Sequence, residues 1–237
     1  MQVEGPAPGE ELNEGEPTEP RQAASVIVLR GGGDGLEVLL LRRNPASRFM
    51  GGAWVFPGGA VDVSDVAACP ACAGEAGLIG EGESDEGASR LAGETDLPDA
   101  AHRVAAVREV EEEAGLRLPD RDALVKFSRW ITPPQITIRY DTHFFLARAP
   151  GGQEPRIDGG EMVGLGWHTP AGALDAHRRG ELDLVFPTIK HLEQLAGFGS
   201  ADELLEWAAG REVVAVEPHV RITGETARVV LPGEPGY

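Results

Sequence analysis

The sequence predicts an α/β fold. Two apolar, β-branched runs, Ser25–Arg30 and Glu37–Leu41, are separated by the glycine-rich Gly31–Gly35 and read as paired strands. Residues 100–115 form an Ala/Val/Glu-rich segment that ends at a glycine and reads as a helix. Further on, 187–195 and 201–209 carry apolar residues near helical spacing.

The bulk properties narrow the function. With 237 residues and 41% hydrophobic content, the chain can build one large domain with a real core. A formal charge of −18 argues against a non-specific nucleic-acid or membrane-surface binder, which needs a basic footprint. It does not argue against small anionic substrates, because a bound divalent metal inverts the local field. Two cysteines cannot form a disulfide framework. No signal-peptide pattern and no apolar run near 18 residues is present, so a cytoplasmic protein is expected.

Residues 1–22, rich in Glu, Pro and Gly, have the composition of a disordered acidic tail, with the folded domain expected over 23–237. After the first strand pair, Arg42, Arg43 and Arg48 make a basic patch, read either as solvated charge or as phosphate contact. Trp54–Phe56 is a short strand stopped by Pro57-Gly58-Gly59, where paired glycines allow close backbone approach to a ligand. Residues 66–98 read as a flexible insertion, short of large apolar residues and long for a compact domain. Cys69-Pro-Ala-Cys72 inside it is half of a zinc-ribbon-like pattern without its partner, and reads as two ordinary thiols.

The helix at 100–115 holds the chemistry. Glu109, Glu112 and Glu113 fall within one face roughly 100° wide, while Val104, Val107, Val110 and Ala114 form a separate apolar stripe. Hard oxygen ligands at that spacing suit Mg2+ or Mn2+ better than zinc. A solvated acidic face is the equal alternative at this level.

Ala123–Ile131 and Thr137–Ala147 follow as strands joined through Thr132–Gln135. Trp130, Arg139 and Tyr140 are candidates to line a pocket, against core packing for Trp130 and a paired charge for Arg139. Glu161–Trp167 is a further strand after a polar loop. Thr169 and Pro170 open a helix as N-cap and N1, and Ser200 caps another. The C-terminal region, 187–237, consists of helices, a strand at 212–216 and a closing hairpin over 220–231 turning at Thr223-Gly224-Glu225.

Arg108-Glu109-Val110-Glu111-Glu112-Glu113-Ala114-Gly115-Leu116 together with Phe56-Pro57-Gly58-Gly59 resembles the signature of the Nudix hydrolases: Gly, five residues, Glu, seven residues, Arg-Glu, an aliphatic, any residue, Glu-Glu, any residue, Gly, an aliphatic. Counted from Gly59, Asp65 stands where the family has its first Glu; counted back from Arg108, Ala100 does, with Asp99 beside it, so an insertion of about 35 residues splits the motif. That split resembles the peroxisomal-type coenzyme A diphosphatases, as do Ala46–Met50, Trp130–Pro133, Arg139–Thr142 with Phe144-Phe145, Glu161 six residues before Trp167, Phe186–Thr188, and the ending Val230–Tyr237.

The resemblance implies an α/β/α sandwich around a mixed β-sheet. It also implies a Mg2+- or Mn2+-dependent diphosphatase acting on a small nucleoside diphosphate derivative, coenzyme A or acyl-coenzyme A first, ADP-ribose or NADH second. A non-catalytic ligand sensor is the reading from another class. Glu112, Glu113, Glu109 and the Gly59 carbonyl are the implied metal ligands. Arg108 orients a helix carboxylate, and Glu161 or Glu109 is the base. Arg42, Arg48, Gly58 and Arg139 are the substrate-binding candidates. The sequence leaves the oligomeric state open between monomer and homodimer, and residues 66–98 are expected to loop out, keeping Gly59 beside Glu112 and Glu113.

Overall fold

A computed structural model of the chain describes residues 12–13, 15–32, 35–72, 97–157, 159–223, 226–235 and 237. Strands β1 (Arg21–Arg30), β2 (Glu37–Arg43), β3 (Trp54–Val55), β4 (Gly58–Ala60), β5 (Val125–Ile131), β6 (Tyr140–Arg148), β7 (Met162–His168) and β8 (Ala215–Val216) form one mixed sheet. Its main path runs β3-β2-β1-β6-β5-β8, with β4 paired to β1 and β7 to β2. β1 and β6 pair in parallel, and β1 and β2 are antiparallel. A separate ribbon joins β9 (His219–Thr223) to β10 (Thr226–Val230).

Helices cover both faces. Helix α2 (Asp99–Ala114) lies on one, preceded by the short α1 (Val63–Ala67). Helices α3 (Pro170–Arg178), α4 (Phe186–Leu195) and α5 (Ala201–Ala208) lie on the other. This two-sided burial explains the unbroken apolar runs of the central strands. Ala24, Val26, Val28, Leu39 and Leu41 face α2, while Ile27, Leu29, Val38 and Leu40 face the opposite helices. Ala101, Ala105 and Ala106 of α2 are wholly buried with Val110 and Ala114, and Val104 and Val107 pack at the margin. Alanine, rather than the expected valine stripe, makes most of the contact, which lets α2 sit close to the sheet. Gly115 closes the helix at φ 63°, and Thr169 and Ser200 cap α3 and α5 as expected.

Three expectations change. The tail does not extend to residue 22, because Arg21 and Gln22 already pair with Tyr140 and Asp141. Upstream, Asn13 N donates to Gln135 O and Thr18 Oγ1 to Thr137 O, so this stretch lies along the loop between β5 and β6. The insertion is also shorter than 66–98: Val66, Cys69, Cys72 and Leu97 are core residues against α2. Cys69 and Cys72 are not free thiols but a buried disulfide pair, set in a short 3-10 turn. The expected flexibility of 73–96, the tail before residue 12, and the turn residues 33–34 and 224–225 lie outside the described residues. The strand expected over 212–216 shortens to Ala215–Val216, and β6 starts at Tyr140 rather than Thr137.

Candidate active site

The two halves of the split motif meet at β4. Ser25 Oγ and Val26 N both donate to Pro57 O at 2.9 Å, and β4 pairs with β1 through Ala24–Gly59 and Ser25–Gly58. Gly58 N donates to Glu113 Oε2 at 2.8 Å. A Cβ at Gly59 would collide with the Glu109 carboxylate, and one at Gly58 with the backbone of Ala24 and Ser25. Close approach to a strand backbone requires the glycine at 58, whereas a side chain at 59 would displace the Glu109 carboxylate. The glycine loop meets the acidic helix, but Gly59 lies beside Glu109 and Gly58 beside Glu113, whereas Glu112, expected next to Gly59, turns to Arg108.

Arg108 ties this site together. Its Nε donates to Asp65 Oδ1 and its Nη2 to Asp65 Oδ2, both at 2.9 Å. Nη1 reaches Glu109 Oε1 at 2.8 Å and Glu112 Oε2 at 2.9 Å, and Nη2 also reaches Ala60 O at 3.1 Å. The planar guanidinium suits this divergent set of acceptors. Asp65 is buried at position N3 of α1, where its Oδ2 also accepts from Asp62 N. The short helix brings the backbone near enough for an aspartate to meet Arg108. These ion pairs hold the Arg108 guanidinium more firmly protonated than usual, the Asp65 hydrogen bonds contributing most.

Burial, reinforced by their acidic neighbours, pushes Glu109 up to about 7 and Glu113 up to about 8. Arg108 opposes the shift at Glu109, and the Gly58 amide opposes it at Glu113. Such a cluster of hard oxygens, packed against a backbone loop that admits no Cβ, fits a divalent cation. Among the described residues no three acidic or imidazole side chains already converge on one point, because Glu109 and Glu112 turn to Arg108. Glu112 is the most solvent-accessible of the three helix carboxylates.

The other candidates separate. Glu161 stands at the margin of the cluster: its charge acts on both Glu109 and Glu113, and Arg43 Nη2 meets its Oε1 at 3.0 Å. Arg42 turns the other way. It pairs with Trp54 beside Gly164, on the sheet face opposite α2, and its Nε donates to Gly52 O at 3.4 Å. Arg43, one residue on, is the arginine of β2 on the α2 side, and the alternation Leu39, Leu41, Arg43 carried that signal. Arg48 is exposed on the loop after β2.

Arg139, expected at the substrate, is instead buried. Its three nitrogens donate to Thr132 O, Thr18 O and Glu217 Oε1. It fastens the N-terminal stretch, the β5–β6 loop and the segment before β9, with each of its three nitrogens engaged by the protein. Trp130 packs against Phe186 and His191, as a core residue.

Beneath the start of α2, His102 and His143 stack face to face at 3.8 Å, beside the Asp99–Lys126 pair and the Arg129–Asp141 pair. Burial pushes His143 down to about 3 and lowers His102 as well, so both rings are neutral. Nothing in the sequence pattern pointed to this pair.

A family model described as the NUDIX domain matches residues 19–188. Acyl-coenzyme A diphosphatase NUDT19 of Homo sapiens is 28% identical, over 93% of this chain and 81% of that protein. Its Gallus gallus counterpart is 27% identical, over 92% of this chain and 79% of that protein. Among solved structures, a NUDIX hydrolase from Alicyclobacillus acidocaldarius matches with a TM-score of 0.62 at 27% identity, covering 82% of this chain and 99% of that one.

Proposed function

The chain belongs to the Nudix family and is a diphosphate-cleaving enzyme of that kind; from that premise we propose that it hydrolyses the diphosphate of coenzyme A or an acyl-coenzyme A. The observation that carries the substrate class is similarity to acyl-coenzyme A diphosphatases along more than nine-tenths of the chain. Water adds to one phosphorus, the P–O–P anhydride bond breaks, and the products are adenosine 3′,5′-bisphosphate and an (acyl-)phosphopantetheine.

Glu109, Glu112, Glu113 and the Gly59 carbonyl would hold Mg2+ or Mn2+. A cation held there would supply charge neutralisation at the diphosphate oxygens and would acidify a water. The chain's own residues do the remaining work. Arg108 sets the orientation of Glu109 and Glu112 through its Nη1. The Gly58 amide fixes one oxygen of Glu113. Glu161 enters from outside the helix and is the proposed base that takes the water's proton. Arg48, exposed on the loop after β2, is the proposed contact for the 3′-phosphate.

The test is a hydrolysis panel of coenzyme A, acyl-coenzyme A, ADP-ribose and NADH with Mg2+ and with Mn2+. Products are identified after reaction in 18O-labelled water, which also reports the phosphorus attacked. The highest kcat/KM on the coenzyme A derivatives is expected; preference for ADP-ribose or NADH would overturn the substrate reading. Unchanged turnover in Glu112→Gln on every substrate cleaved would remove the catalytic assignment and favour a ligand sensor. Arg48→Ala is expected to raise KM for coenzyme A more than for dephospho-coenzyme A. Equal, small effects on both would dismiss the 3′-phosphate contact.

A further inference from the structure

We infer that Arg43 is a positioning residue that holds the Glu161 carboxylate beside the acidic helix; this rests on the proposed role of Glu161 as base. Glu161 needs such a partner. Its side chain is 58% exposed, so packing alone does not hold it in place. Arg43 Nη2 is its one side-chain partner among the described residues, at 3.0 Å.

Arg43 itself is well held. Its side chain is 18% exposed, and its Nε donates to Phe49 O at 3.2 Å. Its backbone pairs with Ala53 and with Gly52 across the intervening loop. A register shift between Arg42 and Arg43 opposite β7 sets Arg43 against Met162, next to Glu161. The neighbouring Asn44 completes the attachment, with N donating to Glu161 O and Nδ2 to Gly160 O, both at 2.8 Å. The loop's backbone is therefore pinned by Asn44 and its carboxylate by Arg43. One planar guanidinium serves two acceptors in different directions, which a lysine head group does not reproduce.

The experiment is a double-mutant cycle with Arg43→Met and Glu161→Gln, following kcat and KM for the best substrate of the panel. Arg43→Met is expected to lower kcat about 10- to 100-fold and to change KM by less than about threefold, as misplacement of a catalytic group does. In the Glu161→Gln background the same change is expected to have no further effect. Amide hydrogen exchange at Glu161 and Met162 is expected to stay as in the parent in both variants, because Asn44 still pins that backbone, so the fall in kcat reports the carboxylate and not a loosened loop. Arg43→Gln, which keeps a donor toward Phe49 without the charge, repeats the measurement should the methionine variant fold poorly.

An equal fall in kcat in both backgrounds would overturn the inference while leaving Glu161 as the base. So would a raised KM with kcat intact, which is the behaviour of a substrate contact. Full turnover in Glu161→Gln would overturn the base reading, and the positioning role with it.

Discussion

Arg108 and Asp65 meet in a two-point ion pair, Nε to Oδ1 and Nη2 to Oδ2, each at 2.9 Å. The aspartate is buried, and its partner also holds Glu109 and Glu112. Asp65→Ala should leave a half-buried guanidinium short of its main acceptor. The expected cost is about 3 kcal/mol of stability, the range for breaking a buried pair. A fall in kcat should accompany it, as Glu109 and Glu112 lose their common anchor. Asp65→Glu should not restore an improved pair, because the extra methylene enters a contact already closed by α1; a loss of about 1–3 kcal/mol is expected. Urea unfolding of the three proteins decides, and a glutamate variant as stable as the parent would contradict the close placement of α1.

The Gly59 backbone lies against the Glu109 carboxylate, where an added Cβ would collide. Gly59→Ala should push the carboxylate or the β4 loop aside and lower kcat by about 100-fold or more, since small displacements at a reacting centre carry that penalty. Gly151, which faces open space, is the comparison position, and Gly151→Ala should keep full turnover. Equal activity in both variants would detach the Gly59–Glu109 contact from catalysis.

The acidic helix was legible because local spacing alone puts Glu109, Glu112 and Glu113 on one side, and Gly115 marks its end. The cover on both faces of the sheet came from the resemblance, and the unbroken apolar runs of β1 and β2 agree with it. Long-range pairing was not. Arg139 finds partners at Thr18 and Glu217, far away along the chain, so no local pattern separates a clamp from a substrate ligand. The alternation Leu39, Leu41, Arg43 separates Arg43 from its neighbour Arg42, but only the pairing of β2 with β7 brings Arg43 beside Glu161. Cys69 and Cys72 sit in a stretch whose composition suggests a loop, yet Val66 and Leu97 supply enough apolar surface to draw both ends into the core.

The metal-free protein should lose stability as pH rises from 6.5 to 8.5. Burial raises Glu109 to about 7 and Glu113 to about 8, so their protonated forms favour folding, and that contribution is lost as pH climbs through those values. The buried histidines act in the other direction. His143 and His191 are pushed down to about 3, so they weaken folding only where the unfolded rings take up protons, below about pH 6.5. Above that point the carboxylates stand alone, and their combined effect is about 2–3 kcal/mol. Thermal melts in chelator at the two pH values should show the loss, and Mn2+ should remove most of it by binding the ionised carboxylates. A flat profile in chelator would contradict the burial of the two glutamates.

Arg139 separates a structural role from a substrate role most directly. Its guanidinium is buried and donates to Thr132 O at 3.0 Å, to Thr18 O, and to Glu217 Oε1 at 2.7 Å. Replacement by methionine leaves the partly exposed Glu217 carboxylate and two carbonyls without their donor. A loss of about 3 kcal/mol is expected, with faster amide exchange near Thr18 and Val220, since the three segments share this one clamp. KM for coenzyme A should stay within about twofold of the parent where the variant is folded, because interactions that do not reach substrate leave binding alone. A tenfold rise in KM with stability intact would return Arg139 to the substrate.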